Sequence, residues 1–401
     1  MNINPLSPLP IVVALLLALA TTHCLARRFA VKLPKGRVST IDGLRGFLAL
    51  AVFVYHACIW FFYLRTGQWY VDSSVYTHLG STSVALFFMI TAFLFFSKLL
   101  DAKNRPVDWL QLYLSRLFRL GPLYLTTIGA MLLIVAVLSD GQLREPLTVA
   151  LLNVARWLAF TVPGIRDLNG IDQTWIIVAG VTWTLKYEWI FYLLLPLLAC
   201  LMGAWPPAVF VLLGAMTALA LNWLTLDYSI MSAFLGGMAA AALVRYERVR
   251  MIATAKASSL LAASCLAVVV IAFPTPHSAL PLLLLTVMFT LVAAGNTLFG
   301  LLSSHTSRVL GELAYSIYLL HGLVLFLVFR FLLGFPDAGG LSALSHWLVV
   351  GLCTPVVIAL SFLTFYAIEL PAMRLVPGAT SWIRSRCKSA GQAPVRQGGQ
   401  A

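Results

Sequence analysis

Polar residues along this chain come mostly in short clusters, separated by long apolar runs. A helix that crosses a bilayer needs about 20 mostly apolar residues. Runs that reach that length, or nearly so, occupy 7–26, 42–63, 80–97, 120–139, 183–200, 206–222, 229–244, 258–273, 280–301, 313–333 and 346–369. They predict an all-α polytopic membrane bundle of eleven transmembrane helices. A further apolar stretch, 147–162, contains Asn153 and Arg156 and runs into Pro163-Gly164. We read 147–182 as an extracytoplasmic excursion, either re-entrant or lying in the interface.

The placement of basic residues supports this count through the positive-inside rule. With the N-terminus outside and the C-terminus cytoplasmic, twenty Lys and Arg fall on the cytoplasmic side and five on the other, with Arg45 and Lys186 inside spans. Turning 147–162 into a crossing would invert every later loop and destroy the bias. The first run has no basic residue before it, and Arg27 and Arg28 follow it. That order suits an uncleaved N-out helix better than a signal peptide.

Composition narrows the class. Only 10% of the 401 residues are charged and the mean hydropathy is +0.92, whereas an ordinary soluble domain carries about 25% charge. A disordered chain, a disulfide scaffold and a conventional soluble enzyme are excluded. The net charge of +13 sits in loop clusters with no nucleic-acid-reading pattern, so no nucleic-acid partner is expected. The six cysteines lack metal or CxxC spacing, and no metal site is expected. Three regions follow: an extra helix with a basic cytoplasmic loop (1–38), the main membrane domain (39–375), and a flexible basic cytoplasmic tail (376–401).

Ionisable groups inside a span are costly and mark a pathway or site by default. The second run opens Ile41-Asp42-Gly43-Leu44-Arg45-Gly46 and carries His56 eleven residues after Arg45. Eleven residues make three turns with about 20° left over, so both side chains share one helical face, roughly 16 Å apart along the axis. Alone, Arg45 reads as a topogenic anchor paired with Asp42, and His56 as a satisfied core histidine. The shared face favours function, because a buried imidazole can serve as base, nucleophile or proton relay. Glu188 lies just inside the fifth run, near its extracytoplasmic end, where a carboxylate needs a partner. His321 lies about 12 Å deep in the tenth run, with Tyr318 one turn earlier and Tyr315 before it; a structural Tyr–His hydrogen bond accounts for the pair equally well. Arg116 and Arg119 share a face at the entry of the fourth run, either as a topogenic pair or as a fork for phosphates. Phosphate loops, HExxH and serine elbows are absent from the sequence.

Taken in order, these segments resemble the acyltransferase-3 family of membrane O-acyltransferases that modify lipopolysaccharide and exopolysaccharide sugars. Arg45 and His56 are similar to its Arg-or-Lys, ten residues, His motif, and Arg116 with Arg119 to its RxxR motif. Trp183-Thr184-Leu185 with Glu188 and Phe191-Tyr192-Leu193, then Tyr315 to His321, then Glu369-Leu370-Pro371, resemble three later segments. The resemblance covers about 39–375. One departure is Thr91-Ala92-Phe93 where the family has Ser-Gly-Phe, which questions close helix approach at that point.

The resemblance implies transfer of an acyl group, usually acetyl, from cytoplasmic acyl-CoA to a sugar hydroxyl of a polysaccharide or lipid-linked precursor at the other face of a bacterial inner membrane. Acyl-CoA would be a co-substrate, with no bound cofactor. On this reading His56 is general base or acyl carrier, Arg45 stands at the entrance, Glu188 orients the acceptor or shares its proton, and Arg116 and Arg119 bind acyl-CoA. Asp42, Tyr315, Tyr318 and His321 support them. The rival class is a transporter or flippase for a lipid-linked sugar, in which buried His and Glu would couple protons.

Overall fold

The computed structural model describes residues 4–33, 38–102, 106–224 and 226–391; the side chains of Asn222 and 388–391 are outside that description. Of the basic residues counted above, Lys35, Arg37, Lys103, Arg105 and Arg396 lie outside the described residues, as does the side chain of Lys388.

The described chain is helical apart from loops and an isolated bridge between Leu168 and Ile171. The helices that matter below are α1 (Leu9–Arg28), α2 (Ser39–Thr66), α3 (Ser74–Leu100), α4 (Trp109–Leu138), α5 (Leu147–Leu158), α6 (Trp183–Leu201) and α7 (Ala208–Ala220). They continue with α8 (Tyr228–Leu243), α9 (Lys256–Ala272), α10 (Ala279–Ala293), α11 (His305–Glu312), α12 (Ala314–Leu332), α13 (Ala343–Thr364) and α14 (Val376–Gly391). Among the described residues, seven helices are long and apolar enough to cross a membrane: α1, α2, α3, α4, α6, α12 and the continuous stretch Ala343–Cys387. An eighth is obtained if α8 and Glu247–Ala253, bent by 105°, count as one span. The other expected runs are helical but short: α7, α9 and α10 have 13, 17 and 15 residues. The architecture is therefore a polytopic helical bundle with seven to eight candidate spans, against an expected eleven.

The helices sort their side chains as a bundle in lipid must. Phe53, Trp60, Phe88, Tyr124 and Phe289 are fully buried inside, while Leu133, Leu201, Ile271 and Leu352 are more than two-thirds exposed on the outside. Apolar surface on that scale needs a non-aqueous surrounding. Helix α2 is largely enclosed, packing against α3, α11 and α12. It crosses α11 at backbone distance, because a Cβ on Gly311 would run into the Asp42 carbonyl. Close packing through small residues is the usual way helices associate in membranes.

The contact questioned at Ala92 is made from the opposite side. Helix α8 lies along α3, and a Cβ on its Gly237 would meet the Met89 carbonyl and come 2.8 Å from the Ala92 Cβ. The glycine that permits the approach sits on the partner helix.

The extra helix α1 is packed as well as apolar. Ala14, Ala18, Thr22 and Ala26 form a buried stripe at i, i+4 spacing, and α1 lies on α13 and α11. The segment 147–182 does not form a full-length helix: α5 has 12 residues, and the buried 3₁₀ turn Thr174–Val178 packs onto α12. The tail differs from its expectation. Val376–Gly391 is helical, with Thr380 buried and Arg384 paired to Asp108 at 2.6 Å; residues 392–401 are outside the described residues. Its sparse apolar positions hide the helix, which is held by α4 rather than by its own periodicity.

Candidate active site

Arg45 and His56 project from α2 towards two different cavities. His56 is buried, and its Nδ1 lies 2.9 Å from Nε2 of His321 on α12, with the rings nearly parallel (20°). His321 Nδ1 lies in turn 2.9 Å from the Ile317 carbonyl of its own helix. A carbonyl oxygen only accepts, so His321 Nδ1 carries a hydrogen. With both rings neutral, His321 Nε2 then accepts, His56 Nδ1–H donates, and the lone pair of His56 is left on Nε2. The tautomer of one imidazole is fixed by the backbone through the other. The Tyr318 hydroxyl is turned to Thr184 and the Val181 carbonyl instead of the His321 imidazole, and the two ring centroids are 6.3 Å apart.

His56 lines a cavity of about 530 Å³ together with Tyr55, Trp69, Trp175, Trp183 and Tyr318. Trp69 stacks near the imidazole at 6.1 Å and meets Trp175 edge-on at 5.6 Å. Trp69 follows the C-terminus of α2, whereas Trp175 comes from the 3₁₀ turn of the excursion.

The second cavity is a narrow cleft of about 100 Å³ lined by Arg45, Arg116, Arg119, Glu188, Tyr192 and Tyr315, among mostly apolar neighbours. Glu188 accepts hydrogen bonds from Thr91 Oγ1 at 3.0 Å and from the Tyr192 hydroxyl at 3.2 Å. The hydroxyl of Thr91 thus does what a serine would do there. Tyr315 donates to the Leu120 carbonyl at 2.7 Å. Arg119 is paired at 2.9 Å with Glu369, which is wholly buried and also accepts from Ser316. Glu369 stands in a π-helical turn, Phe365–Glu369, an irregularity often found at functional positions. Arg116 is half-buried over the Phe95 ring. Asp42 is buried at the crossing of α2 and α11.

Val84 and Tyr318 line both cavities. The Tyr318 hydroxyl is held by Thr184 at 2.9 Å and the Val181 carbonyl at 3.1 Å. The arginines and Glu188 lie on one side of this junction and His56 on the other. The structure therefore groups Glu188 with the arginines, not with His56 as the sequence-based depth implied. It also ties Arg119 into an ion pair, which leaves Arg116 as the less committed member of the fork. Trp69 and Trp175 were not marked by the sequence, where they sit in loops outside every motif. Among the described residues, no group of three or more His, Cys, Asp or Glu is placed to hold a metal ion.

Comparison with known proteins gives two findings. The profile of a family described as an acyltransferase domain, acyltransferase 3, matches residues 38–366. A curated relative, "Acyltransferase MdmB" of Streptomyces mycarofaciens, is 28% identical over 172 residues, 40% of this chain. The match spans 39% of that relative's length. No solved structure matches.

Proposed function

As this chain belongs to the acyltransferase-3 family, we propose that it is a membrane O-acyltransferase that moves an acyl group, acetyl in the first instance, from cytoplasmic acyl-CoA to a sugar hydroxyl of a cell-surface polysaccharide or its lipid-linked precursor. One observation carries the reading. Two cavities meet at Val84 and Tyr318, one lined by three arginines and the other by His56. A polyanionic donor suits the first, and a hydroxyl that must lose a proton suits the second.

The full topology belongs to this proposal. Eleven passes, with α7, α8, α9 and α10 completing the seven long spans and the N-terminus outside, turn the arginine cleft towards the cytoplasm of a bacterial inner membrane. Arg116 and Arg45 then meet the phosphates or amide carbonyls of the donor, Arg119 acts from its pair with Glu369, and the narrow cleft admits an extended thioester arm.

In the chemical step, His56 Nε2 takes the proton of the acceptor hydroxyl as the alkoxide oxygen bonds to the thioester carbonyl carbon. The C–S bond breaks, and the proton leaves His56 for the departing thiolate. His321 holds His56 in the required tautomer, as an orienting carboxylate does in a catalytic triad. An acyl-histidine route uses the same lone pair first as nucleophile.

The test compares membranes containing wild type or His56→Ala, matched for amount, supplied with acetyl-CoA labelled on the acetyl group. Label entering glycan or lipid-linked sugar with the wild type alone is expected. Equal transfer by His56→Ala overturns the role of His56. Absence of transfer in both, with an acceptor demonstrably present, overturns the acetyl donor.

A further inference from the structure

The cavity beside His56 has walls of a particular chemistry. Three half-buried tryptophans and two tyrosines surround the imidazole, and no Lys, Arg, Asp or Glu occurs among the described residues that line it. Two charged side chains close in sequence to these walls are engaged elsewhere. Arg65 donates to the carbonyls of Phe61 and Leu341, and Asp167 accepts from the Thr174 amide at 2.9 Å. Trp69 and Trp175 stand at 88° to one another, so they form a corner. The backbone behind that corner is fixed: Ala179 and Gly180 both have positive φ, and Trp175 packs so close that a Cβ on Gly180 would come 3.0 Å from its ring.

We propose that this cavity is the acceptor subsite and that it takes an electrically neutral sugar ring, the C–H face of the ring lying against the Trp69–Trp175 corner and one hydroxyl at His56. A sugar ring has a polar rim and a less polar face of axial C–H groups, and an aromatic plane complements that face. A uronate or sugar phosphate would have to leave water for a site without a counter-charge, which is costly. The inference rests on the acyltransferase reading for the word acceptor, but the binding it asserts is measurable without turnover.

Purified full-length protein in nanodiscs is examined by saturation-transfer NMR with methyl glucoside and methyl glucuronoside, which differ only at C6. Wild type, Trp175→Ala, Trp175→Phe and Trp69→Ala are compared, and donor-thioester turnover is followed on the same samples. Saturation of ring C–H protons of the neutral glycoside is expected, with a signal for the uronate weaker by about tenfold or more. Trp175→Ala and Trp69→Ala should lose that signal and Trp175→Phe should largely keep it, which separates loss of the wall from loss of fold. Neutral-glycoside binding without any donor turnover would support the subsite while overturning the acyltransferase reading. Equal or stronger binding of the uronate, no signal from the neutral glycoside, or undiminished signal in both alanine variants would overturn the proposal.

Discussion

His56 and His321 are 265 positions apart in sequence and 2.9 Å apart in space. The pair explains how a histidine without a carboxylate partner can present a defined lone pair. A backbone carbonyl sets His321, and His321 sets His56. Removing His321 should therefore damage the reaction without removing the base. We expect His321→Ala to lower kcat by about 10²-fold or more with little change in KM for the donor. His321→Gln, whose amide oxygen can accept from Nδ1, should recover part of that loss. Matched kinetics in detergent would check this; equal activity of wild type and His321→Ala would remove His321 from the chemistry. The same dyad shows why sequence reading stops short at this scale. Helical spacing places Arg45 and His56 on one face, yet it carries no information about which residue of a distant helix stands opposite. For His321 the sequence therefore offers a bond to its neighbour Tyr318 and a supporting role at the site as equal readings, with nothing to point to His56. Glu188 was placed by counting inward from an assumed membrane end, whereas its hydroxyl partners Thr91 and Tyr192 put it in the arginine cleft.

Apolar run length fared well for the presence of elements, since each of the eleven predicted runs contains a helix. It fared less well for helix length. Helices α7 and α10 stop at 13 and 15 residues, because Pro207 and the turn around Gly295 break the helix inside its apolar run; α9, with 17 residues, covers its own short run almost completely. The tail helix α14 escaped notice for the opposite reason, being stabilised by contact and not by pattern. Element packing also yields a sharp expectation. Gly311 on α11 touches the backbone of α2 one turn before Arg45. Gly311→Ala must push the two helices apart, at a cost of about 1–3 kcal/mol for overpacking. We expect a lowered thermal midpoint in detergent and a raised KM for the donor, measured on the same preparation. An unchanged KM would mean that the α2–α11 crossing does not position Arg45.

At the scale of the molecule, the bundle keeps its basic cleft and its aromatic cavity on either side of a junction formed by Val84 and Tyr318. Helix α1, outside the family match, is joined to the same body through its alanine stripe on α13 and α11. This arrangement has a kinetic consequence. A donor in the arginine cleft and an acceptor in the aromatic cavity, as proposed above, would not compete for space, so neither would have to wait for the other to arrive or depart. A non-reactive CoA analogue should be competitive against the donor and noncompetitive against the acceptor, and a deoxy-sugar blocker should show the reverse pattern. Initial-rate plots varying both substrates would reveal it, with mutual competition counting against separate cavities for the two. On the proposed reading the protein works as a bulkhead: the acyl group alone passes the Val84–Tyr318 junction, while the molecules that deliver and receive it keep to their own cavities.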